Sequence, residues 1–516
     1  MATAGRRRVM RRRRFLAVTG GAALAAAGYG VLAAQTGEAA GQVLTSRLPL
    51  PAPFTVPLPI PRTAAPVRPG HYELVQRSAT QEIIPGTTTE VWGYDGTFPG
   101  PTLDLRRGSP VTVRVRNELP VPTSTHLHGG VTPPGSDGYP TDLVVAATRG
   151  FRPPPGHHGT ALDLSKWTLH SGARDYAYPV DQRAATLWYH DHRMDFTGPQ
   201  VWRGLAGFAL IRDDEDDALP LPKGDRDIPL MICDRAFEED GSFRYPSTDP
   251  SLLVRPGVDA DYMEGVEGDV ILVNGAPWPE LQVTATRHRL RLLNASNARR
   301  YRLALSPGGD FTQIGSDQGL LTAPLRHTTL PISPGERFDV VVDFSAYPIG
   351  STVTLINTLS NDQTRNVMRF RITRSAHDPS SIPHRLSRPD TPPPSRATTT
   401  RHLDFRLHNT LWAINGRPYH PGTPLATPRL GTTEIWRFAS DFHHPVHIHL
   451  AHFQVLSRSG KPPAPSDAGW KDTVDVRPYE VVEALVRFEG HRGRYMLHCH
   501  NLEHEDMGMM ADFDVI

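Results

Sequence analysis

Short runs in which hydrophobic and polar residues alternate recur along the whole chain. Four of them cover residues 110–116, 289–293, 338–344 and 481–487, and turn-forming residues lie near each one. A period of two indicates strands with one buried face, and many such strands separated by turns are typical of a β-sandwich or a barrel. Helical periodicity is scarce and the chain has 50 prolines, so the pattern predicts an all-β protein.

One alternating segment has a counterpart far along the chain. Residues 107–117 are echoed by residues 430–438, and a histidine-rich motif follows each segment. We interpret this echo as a sign of duplicated β-sandwich modules. The chain has 516 residues, which is too long for one ordinary hydrophobic core and suggests about two to four domains.

Composition indicates where the domains end. A stretch rich in Pro, Ser, Thr and Arg covers residues 377–400, as is typical of a linker between domains. The predicted segments are a leader at 1–44, a first domain at 45–215, a second at 216–375, the linker at 376–399 and a third domain at 400–516. Residues 148–182 carry few strand signals, so we interpret them as a surface loop, with a secondary metal-binding or substrate-access loop as the alternative.

Basic charge is concentrated at the N terminus, where seven arginines precede an apolar run at residues 15–34. Residues 12–16 read Arg-Arg-x-Phe-Leu and lead into that run. This arrangement predicts a twin-arginine export signal, and hence a secreted or extracytoplasmic protein of the cell envelope. A retained membrane anchor is the alternative, and no later stretch is long and apolar enough to span a bilayer.

Charge argues against a nucleic-acid-binding protein, and cysteine content argues against a disulfide-stabilised one. A formal net charge of +1 produces no field that would favour nucleic acid or an acidic partner. The chain has two cysteines, of which Cys233 lies in an apolar run and is interpreted as a buried free thiol, while Cys499 lies among histidines. No disulfide framework is available, so stability outside the cytoplasm must depend on packing.

Three pairs of histidines share the spacing His-x-His. They are His126 with His128, His190 with His192, and His447 with His449, which His444 precedes. On an extended chain this spacing places two imidazoles on one face, about 6.5–7 Å apart. One pair alone is most simply a polar edge strand, but a fourth pair, His498 with His500, lies near the C terminus, and four in one chain indicate metal binding.

The C-terminal segment adds a cysteine and a methionine to this set. His498, Cys499 and His500 are consecutive, and His504 and Met509 follow. These residue types suit a blue-copper site, in which two histidines and a cysteine are trigonal and methionine is a long axial ligand. On a strand, Cys499 points away from both flanking histidines. Those histidines can therefore bind other metal ions at the end of a short electron path.

Further motifs carry a resemblance to a known family. They lie at residues 95–102, 204–207, 272–275, 291–296 and 469–473. With the histidine motifs, they resemble the multicopper oxidases over nearly the whole mature chain, and most closely the three-domain branch that includes bacterial spore-coat laccase, bilirubin oxidase and phenoxazinone synthase. The resemblance implies an all-β fold of three cupredoxin-like Greek-key domains, each a β-sandwich or barrel, and four copper ions.

The resemblance also implies which residues bind each copper. The type 1 copper would be held by His444, Cys499, His504 and the axial Met509. The type 2 copper would be held by His126 and His447. The two type 3 coppers would be held by His128, His190, His192, His449, His498 and His500. Because these ligands lie in the first and last domains, the trinuclear cluster is expected between them, and the middle domain is expected to be structural.

The implied activity is that of an exported laccase-like oxidase, in which four one-electron oxidations of phenols or aminophenols are coupled to the reduction of O2 to water. The exposed edge of His504, or else of His444, would accept electrons and pass them on through Cys499. Asp137 and Glu505 match acids of this branch and are candidate proton relays, with turn acids or orienting residues as the alternative. The expected partners are a small aromatic reductant, O2 and the twin-arginine export machinery, and the expected state is a monomer.

Two other functions compete with this one. A cuprous-ion or other metal-ion oxidase for copper tolerance often carries methionine-rich insertions, because thioethers suit Cu(I), whereas this chain has 10 methionines and no methionine-rich tract. A non-catalytic copper-storage or electron-transfer protein would not need eight histidines in trinuclear spacing.

Overall fold

Strands are the predominant regular elements of the computed structural model, which describes residues 40–148, 151, 164–408 and 410–516. Three short α-helices lie within these described residues: α1 at Thr197–Trp202, α2 at Asp214–Ala218 and α3 at Leu502–Asp506. None of these helices has the length and hydropathy needed to cross a bilayer. The prediction of an all-β protein is confirmed.

The strands fall into three successive groups, which we call modules 1, 2 and 3. Module 1 and the segment before it contain β1 Gln42–Leu44, β2 His71–Gln81, β3 Thr89–Tyr94, β4 Gly100–Arg106, β5 Val111–Asn117, β6 Thr125–His128, β7 Asp142–Val145, β8 Thr168–Ser171, β9 Ala173–Tyr178, β10 Ala185–Asp191 and β11 Ala206–Arg212. Module 2 contains β12 Asp227–Phe237, β13 Phe243–Arg244, β14 Val266–Gly268, β15 Val270–Val273, β16 Ala276–Pro277, β17 Glu280–Thr284, β18 Arg287–Asn294, β19 Tyr301–Ser306, β20 Phe311–Ser316, β21 Gly319–His327, β22 Thr329–Ile332, β23 Arg337–Asp343, β24 Thr352–Asn357 and β25 Asn366–Arg374. Module 3 contains β26 Ala397–His408, β27 Leu411–Ile414, β28 Pro424–Ala426, β29 Thr433–Ser440, β30 His444–Ile448, β31 His452–Arg458, β32 Thr473–Val476, β33 Val481–Arg487, β34 Gly493–Cys499 and β35 Met510–Val515.

The three modules share one pairing pattern in two sheets. The first sheets have the strand orders β3-β2-β5-β9, β15-β12-β18-β23 and β27-β26-β29-β33. In each order the first two strands are antiparallel, the middle two are parallel and the last two are antiparallel. The second sheets match in the same way, as β4-β11-β10-β6, β17-β25-β24-β19 and β28-β35-β34-β30. The sequence echo falls on β5 and β29, which hold equivalent places, and the threefold cupredoxin-like Greek-key fold is confirmed.

Hydrophobic alternation explains how these sheets pack. In β5 the side chains of Val111, Val113 and Val115 are buried, and the residues between them are more exposed. They join the core of module 1, whereas the core of module 2 also takes in Phe98 and Trp188 from module 1. Because that cluster crosses the boundary, modules 1 and 2 pack through a continuous apolar contact.

The alternating run in β18 is buried on both faces, although its pattern predicts one polar, exposed face. Arg289 pairs with Asp216 of α2, and Arg291 pairs with Asp227 and donates to the hydroxyl of Thr186 in module 1. Charged side chains remain buried when they are paired and hydrogen-bonded in this way. The charged face of β18 therefore lies inside a contact between elements that the local pattern does not indicate.

Two predicted boundaries differ from the structure. β1 lies inside the predicted leader, yet it pairs in parallel with β14, and Ala40 and Leu44 are buried. β26 begins at Ala397, inside the predicted linker. The twin-arginine motif and the apolar run after it lie outside the described residues.

The interpretation of residues 148–182 as a loop is wrong for residues 168–178. β8 and β9 occupy this part, and β9 completes the first sheet of module 1 by pairing with β5. The alternation of buried Arg174, Tyr176 and Tyr178 with exposed residues is a strand signal. The part of this segment that contains His157 and His158, and with it the alternative of a metal-binding or substrate-access loop, lies outside the described residues.

Candidate metal centres

The histidine motifs lie on equivalent strands of modules 1 and 3. Module 1 carries them on β6 and at the end of β10, and module 3 carries them on β30 and at the end of β34. The corresponding strands of module 2, β19 and β24, contain no histidine. Duplication of one module thus explains why two matching sets of histidines meet while module 2 contributes no candidate ligand.

The candidate type 1 site is a triangle of ligand atoms in module 3. The Sγ atom of Cys499 lies 3.4 Å from Nδ1 of His444 and 3.6 Å from Nδ1 of His504, and the two nitrogens lie 3.1 Å apart. Two imidazoles and a thiol in this arrangement suit a blue-copper ion. Met509 is buried, and its backbone amide donates to the carbonyl of His504.

The turn after β34 brings Cys499 and His504 to the same site. Asn501 caps the N terminus of α3, and its side chain accepts from the backbone amide of His504 at 3.4 Å. The second ring nitrogen of His504 donates to the carbonyl of Glu264 at 3.1 Å, and that of His444 lies 3.4 Å from a carboxylate oxygen of Asp441. Such contacts fix the orientation of ligand rings.

The prediction that an edge of His504 or His444 is exposed is wrong, because both side chains are fully buried. The indole of Trp412 stacks on the His504 ring, with centroids 3.8 Å apart and planes 28° apart, and donates through Nε1 to the carbonyl of Met263. The cover comes from β27 and from module 2. The spacing of residues around the ligands does not indicate that β27 or module 2 packs over His504.

The candidate type 2 ligands face each other across the contact between modules 1 and 3. Nε2 of His126 lies 3.4 Å from Nε2 of His447. Each ring uses Nδ1 to donate to a backbone carbonyl, that of Asp137 at 2.5 Å for His126 and that of Asp472 at 2.9 Å for His447. Each Nε2 therefore keeps its lone pair and can bind a metal ion.

Three of the candidate type 3 ligands converge on one point. Nε2 of His498 lies 3.3 Å from Nε2 of both His192 and His449. Their other nitrogens meet the two predicted acids. Asp137 accepts from His449 at 2.7 Å, and the carboxylate of Glu505 lies 3.0 Å from His498 and 3.4 Å from His192.

The remaining type 3 candidates, His128, His190 and His500, form a second group with ring centroids 5.0–5.8 Å apart. Nε2 of His128 lies 3.0 Å from Asp472, and Nδ1 of His190 donates to the carbonyl of Asp191. Nδ1 of His128, Nε2 of His190 and both nitrogens of His500 have no hydrogen-bond partner among the described residues. Buried nitrogens without partners are costly, and a copper ion would bind the lone pair of one such nitrogen in each of the three rings. The residues present therefore fit copper.

Burial sets the protonation of these groups. It lowers the pKa of His190 to about 3 and that of His192 to about 4, which keeps both rings neutral, the form that binds metal. Burial raises the pKa of the Cys499 thiol and of Asp137 well above their usual ranges. Burial acts in the same direction on Glu505, but its contacts with the rings of His192 and His498 outweigh burial and lower its pKa.

Sequence reasoning missed several residues that contact the candidate ligands. Asp472 and Thr473 contact His128, Trp412 stacks on His504, and Arg337 of module 2 forms a bidentate pair with Asp472. The motif at residues 469–473 contains Asp472, so a signal existed there without an assigned role. For Trp412 and Arg337 the sequence offers no local signal.

Comparisons with known proteins agree with this geometry. Models of the multicopper oxidase family match residues 76–147, 165–216 and 391–516. The chain is 36% identical to a laccase of Bacillus subtilis, over 90% of this chain and 98% of that protein, and 34% identical to a bilirubin oxidase of Albifimbria verrucaria, over 89% and 81%. A laccase structure from Pediococcus acidilactici superposes with a TM-score of 0.79 at 31% identity, over 92% of this chain and 96% of that one. The chain therefore belongs to the multicopper oxidase family and is a copper-dependent oxidoreductase.

Proposed function

We propose that the protein is a laccase-like oxidase that couples one-electron oxidation of phenols and aminophenols to the reduction of O2 to water. The observation that carries this proposal is the position of Cys499 between His498 and His500, whose rings belong to two different groups of cluster histidines. When bound, copper would supply the one-electron steps at Cys499 and O2 reduction at the cluster. A storage or carrier protein needs no such connection.

The covalent path from the candidate type 1 site to the cluster is short. Cys499 is joined to His498 and His500 by single peptide bonds, and Nδ1 of His498 also donates to the carbonyl of Cys499 at 3.1 Å. The backbone of β34 is held by antiparallel pairing with β30 and β35. This pairing, together with the bond from the amide of His500 to the carbonyl of Pro445 at 2.5 Å, keeps the cysteine and both histidines at fixed separation, as repeated electron transfer requires.

We assign complementary proton roles to Asp137 and Glu505. Burial raises the pKa of Asp137, so this acid holds a proton that it can donate near His449. The pKa of Glu505 is lowered by the neighbouring histidines, so it is ionised and can accept a proton; Thr197 donates to it at 2.6 Å. One acid is thus ready to donate and the other to accept on the same group of ligands.

The proposed complement is four coppers per chain: one at Cys499, one between His126 and His447, and a pair at the other six histidines. Elemental analysis of the copper-loaded protein tests the number, and an intense blue band tests the thiolate ligand. A colourless protein that holds one copper would contradict the assignment.

Phenols and aminophenols are proposed as reductants because the relatives at 36% and 34% identity are named laccase and bilirubin oxidase. Since both type 1 histidines are covered, electrons reach them through covering groups such as Trp412, the Glu264 carbonyl or Asp441, which needs a suitable potential rather than a tight binding pocket. Oxygen consumption with a dimethoxyphenol, an aminophenol, bilirubin and Cu(I) ranks the candidates. A kcat/KM for Cu(I) far above that of every organic reductant would favour the metal-ion oxidase instead.

We also propose export by the twin-arginine route and function as a monomer. Since Ala40 and β1 pack against module 2, removal of the signal is expected before residue 40. Replacing Arg11, Arg12, Arg13 and Arg14 with lysine keeps the charge and should abolish export, because the paired arginines are the recognised feature. Normal secretion of that variant would contradict the route, and mass measurement of the secreted protein tests the cleavage site and the oligomeric state.

A further inference from the structure

Arg337 lies where the three modules meet, and its side chain is fully buried. All five N–H groups of its guanidinium have acceptors. Nε donates to the carbonyl of Thr186 in module 1, and the terminal nitrogens donate to the carbonyls of Gly335 and Asp317 in module 2. The remaining two donate to the carboxylate of Asp472 in module 3, at 2.7 and 2.5 Å. Such a planar, two-point pair fixes the carboxylate in position and orientation.

Asp472 in turn touches both kinds of candidate cluster ligand. Its Oδ1 atom lies 3.0 Å from Nε2 of His128, and its backbone carbonyl accepts from Nδ1 of His447 at 2.9 Å. The hydroxyl of Thr473 donates to Oδ1, and the amide of Gln318 donates to Oδ2. One residue of module 3 therefore orients a type 3 candidate and a type 2 candidate together.

The contact at His128 decides which of its nitrogens faces the cluster. A carboxylate held by an arginine is an acceptor only, so the hydrogen of His128 must lie on Nε2 and the lone pair on Nδ1. Nδ1 is the nitrogen that has no partner among the described residues. For His447 the hydrogen lies on Nδ1, and Nε2 faces His126 at 3.4 Å.

We propose that Arg337 is a positioning residue for the copper cluster. By holding Asp472, it makes His128 bind through Nδ1 and His447 through Nε2. Module 2, which supplies no ligand, thereby controls ligand geometry at the contact between modules 1 and 3. This inference rests on the proposed copper cluster but not on the identity of the reductant.

A purely structural role is the competing explanation, because Arg337 also joins the modules. Arg291 provides a matched control. It is an equally buried arginine of module 2, pairs with Asp227, and donates to the hydroxyl of Thr186, the residue whose carbonyl Arg337 contacts. Among the described residues, its hydrogen bonds and ion pairs join it to Asp227, Thr186 and Asp339, and none joins it to Asp472 or to a candidate ligand.

The experiment compares Arg337→Lys with Arg291→Lys in the full-length protein. Lysine keeps the charge but cannot form the two-point pair. Copper content, blue absorption, the electron paramagnetic resonance signal of the type 2 copper and the melting temperature of the copper-free protein are measured for each. In Arg337→Lys we expect an unchanged blue band, an altered type 2 signal and about 10–100-fold weaker binding of cluster copper, the usual effect of removing a residue that orients a metal ligand. In Arg291→Lys we expect lower thermal stability with wild-type copper content and spectra.

Normal copper binding and an unchanged type 2 signal in Arg337→Lys would overturn the proposal, and so would equal copper loss in both variants. If Arg337→Lys does not fold, Asp472→Asn decides, since it replaces one acceptor oxygen of the two-point pair with a donor and leaves Arg337 in place. A wild-type signal and affinity in that variant would overturn the proposal as well. Failure of the proposed function would show differently, as a wild-type protein without cluster copper.

Discussion

Replacing Cys499 with serine should remove one copper, and only one. The Sγ atom lies within 3.6 Å of the ligand nitrogens of His444 and His504, and none of these three atoms belongs to the eight histidines of the candidate cluster. Serine is a hard and weak ligand for this metal, so copper content should fall by about one quarter. The backbone amide of Asn501 lies 3.4 Å from Sγ and can donate to the new hydroxyl, so the copper-free protein should lose only about 1 kcal/mol of stability.

Elemental analysis, blue absorption and oxygen consumption with a phenol test this prediction together. The blue band should vanish and turnover should fall to background, because the electron path begins at the thiolate. Cys233→Ser is the matched control: this second buried cysteine lies in β12 of module 2, so the variant should keep its copper, colour and activity. Wild-type turnover in Cys499→Ser would refute the electron path, and loss of two or more coppers would refute the independence of the two centres.

Three further predictions concern the acids, the axial ligand and pH. Asp137→Asn and Glu505→Gln should each lower turnover by about 10²–10⁴-fold without loss of copper, and unchanged rates in both variants and in the double variant would reduce these residues to structural acids. Met509→Leu should raise the reduction potential of the type 1 copper and keep the blue band, because it removes a thioether ligand at similar volume; redox titration checks this, and an unchanged potential would show that the methionine is not a ligand. Burial holds the pKa of His192 at about 4, whereas the unfolded value is about 6.5. As the pH falls, the unfolded chain therefore binds the proton before the folded protein does. The free energy of unfolding of the copper-free protein should fall by about 1.4 kcal/mol per pH unit for this group between pH 6.5 and pH 4. Denaturation measurements check this, and equal stability at pH 6.5 and pH 4 would contradict it.

Local patterns predicted the strands and the His-x-His pairs because both depend on near neighbours in sequence, whereas the meeting of pairs from modules 1 and 3 was implied only by the family resemblance. Alternation in residues 110–116 and 481–487 reflects the pleat of β5 and β33, and each His-x-His pair follows from the same period of two. The spacing from Cys499 to His504 corresponds to one turn into α3. Nothing beyond a few residues of sequence enters any of these inferences, which is why they correspond to what the structure contains.

What the sequence did not predict depends on contacts between modules. The sequence pattern predicts that Arg289 is exposed on a strand, but α2 packs against it in the structure. The sequence likewise predicts an accessible His504, but Trp412 and Glu264 cover it. The partners of these residues are between 73 and 240 positions away along the chain. The pattern of residues around each side chain does not indicate such distant partners. Burial of a polar side chain by a distant element therefore cannot be predicted from a single sequence.

Module 2 contributes to the candidate copper centres without supplying a ligand. It has the same strand pairing as its neighbours but no histidines on β19 and β24, and on that basis it was expected to be structural. Yet its Glu264 carbonyl accepts from His504, and its Arg337 and Gln318 donate to Asp472. The module therefore contacts both candidate copper centres through polar groups that cannot bind copper themselves. A module that lost its ligands would be free to keep such donors and acceptors, because orienting a ligand requires only that its second nitrogen have a partner.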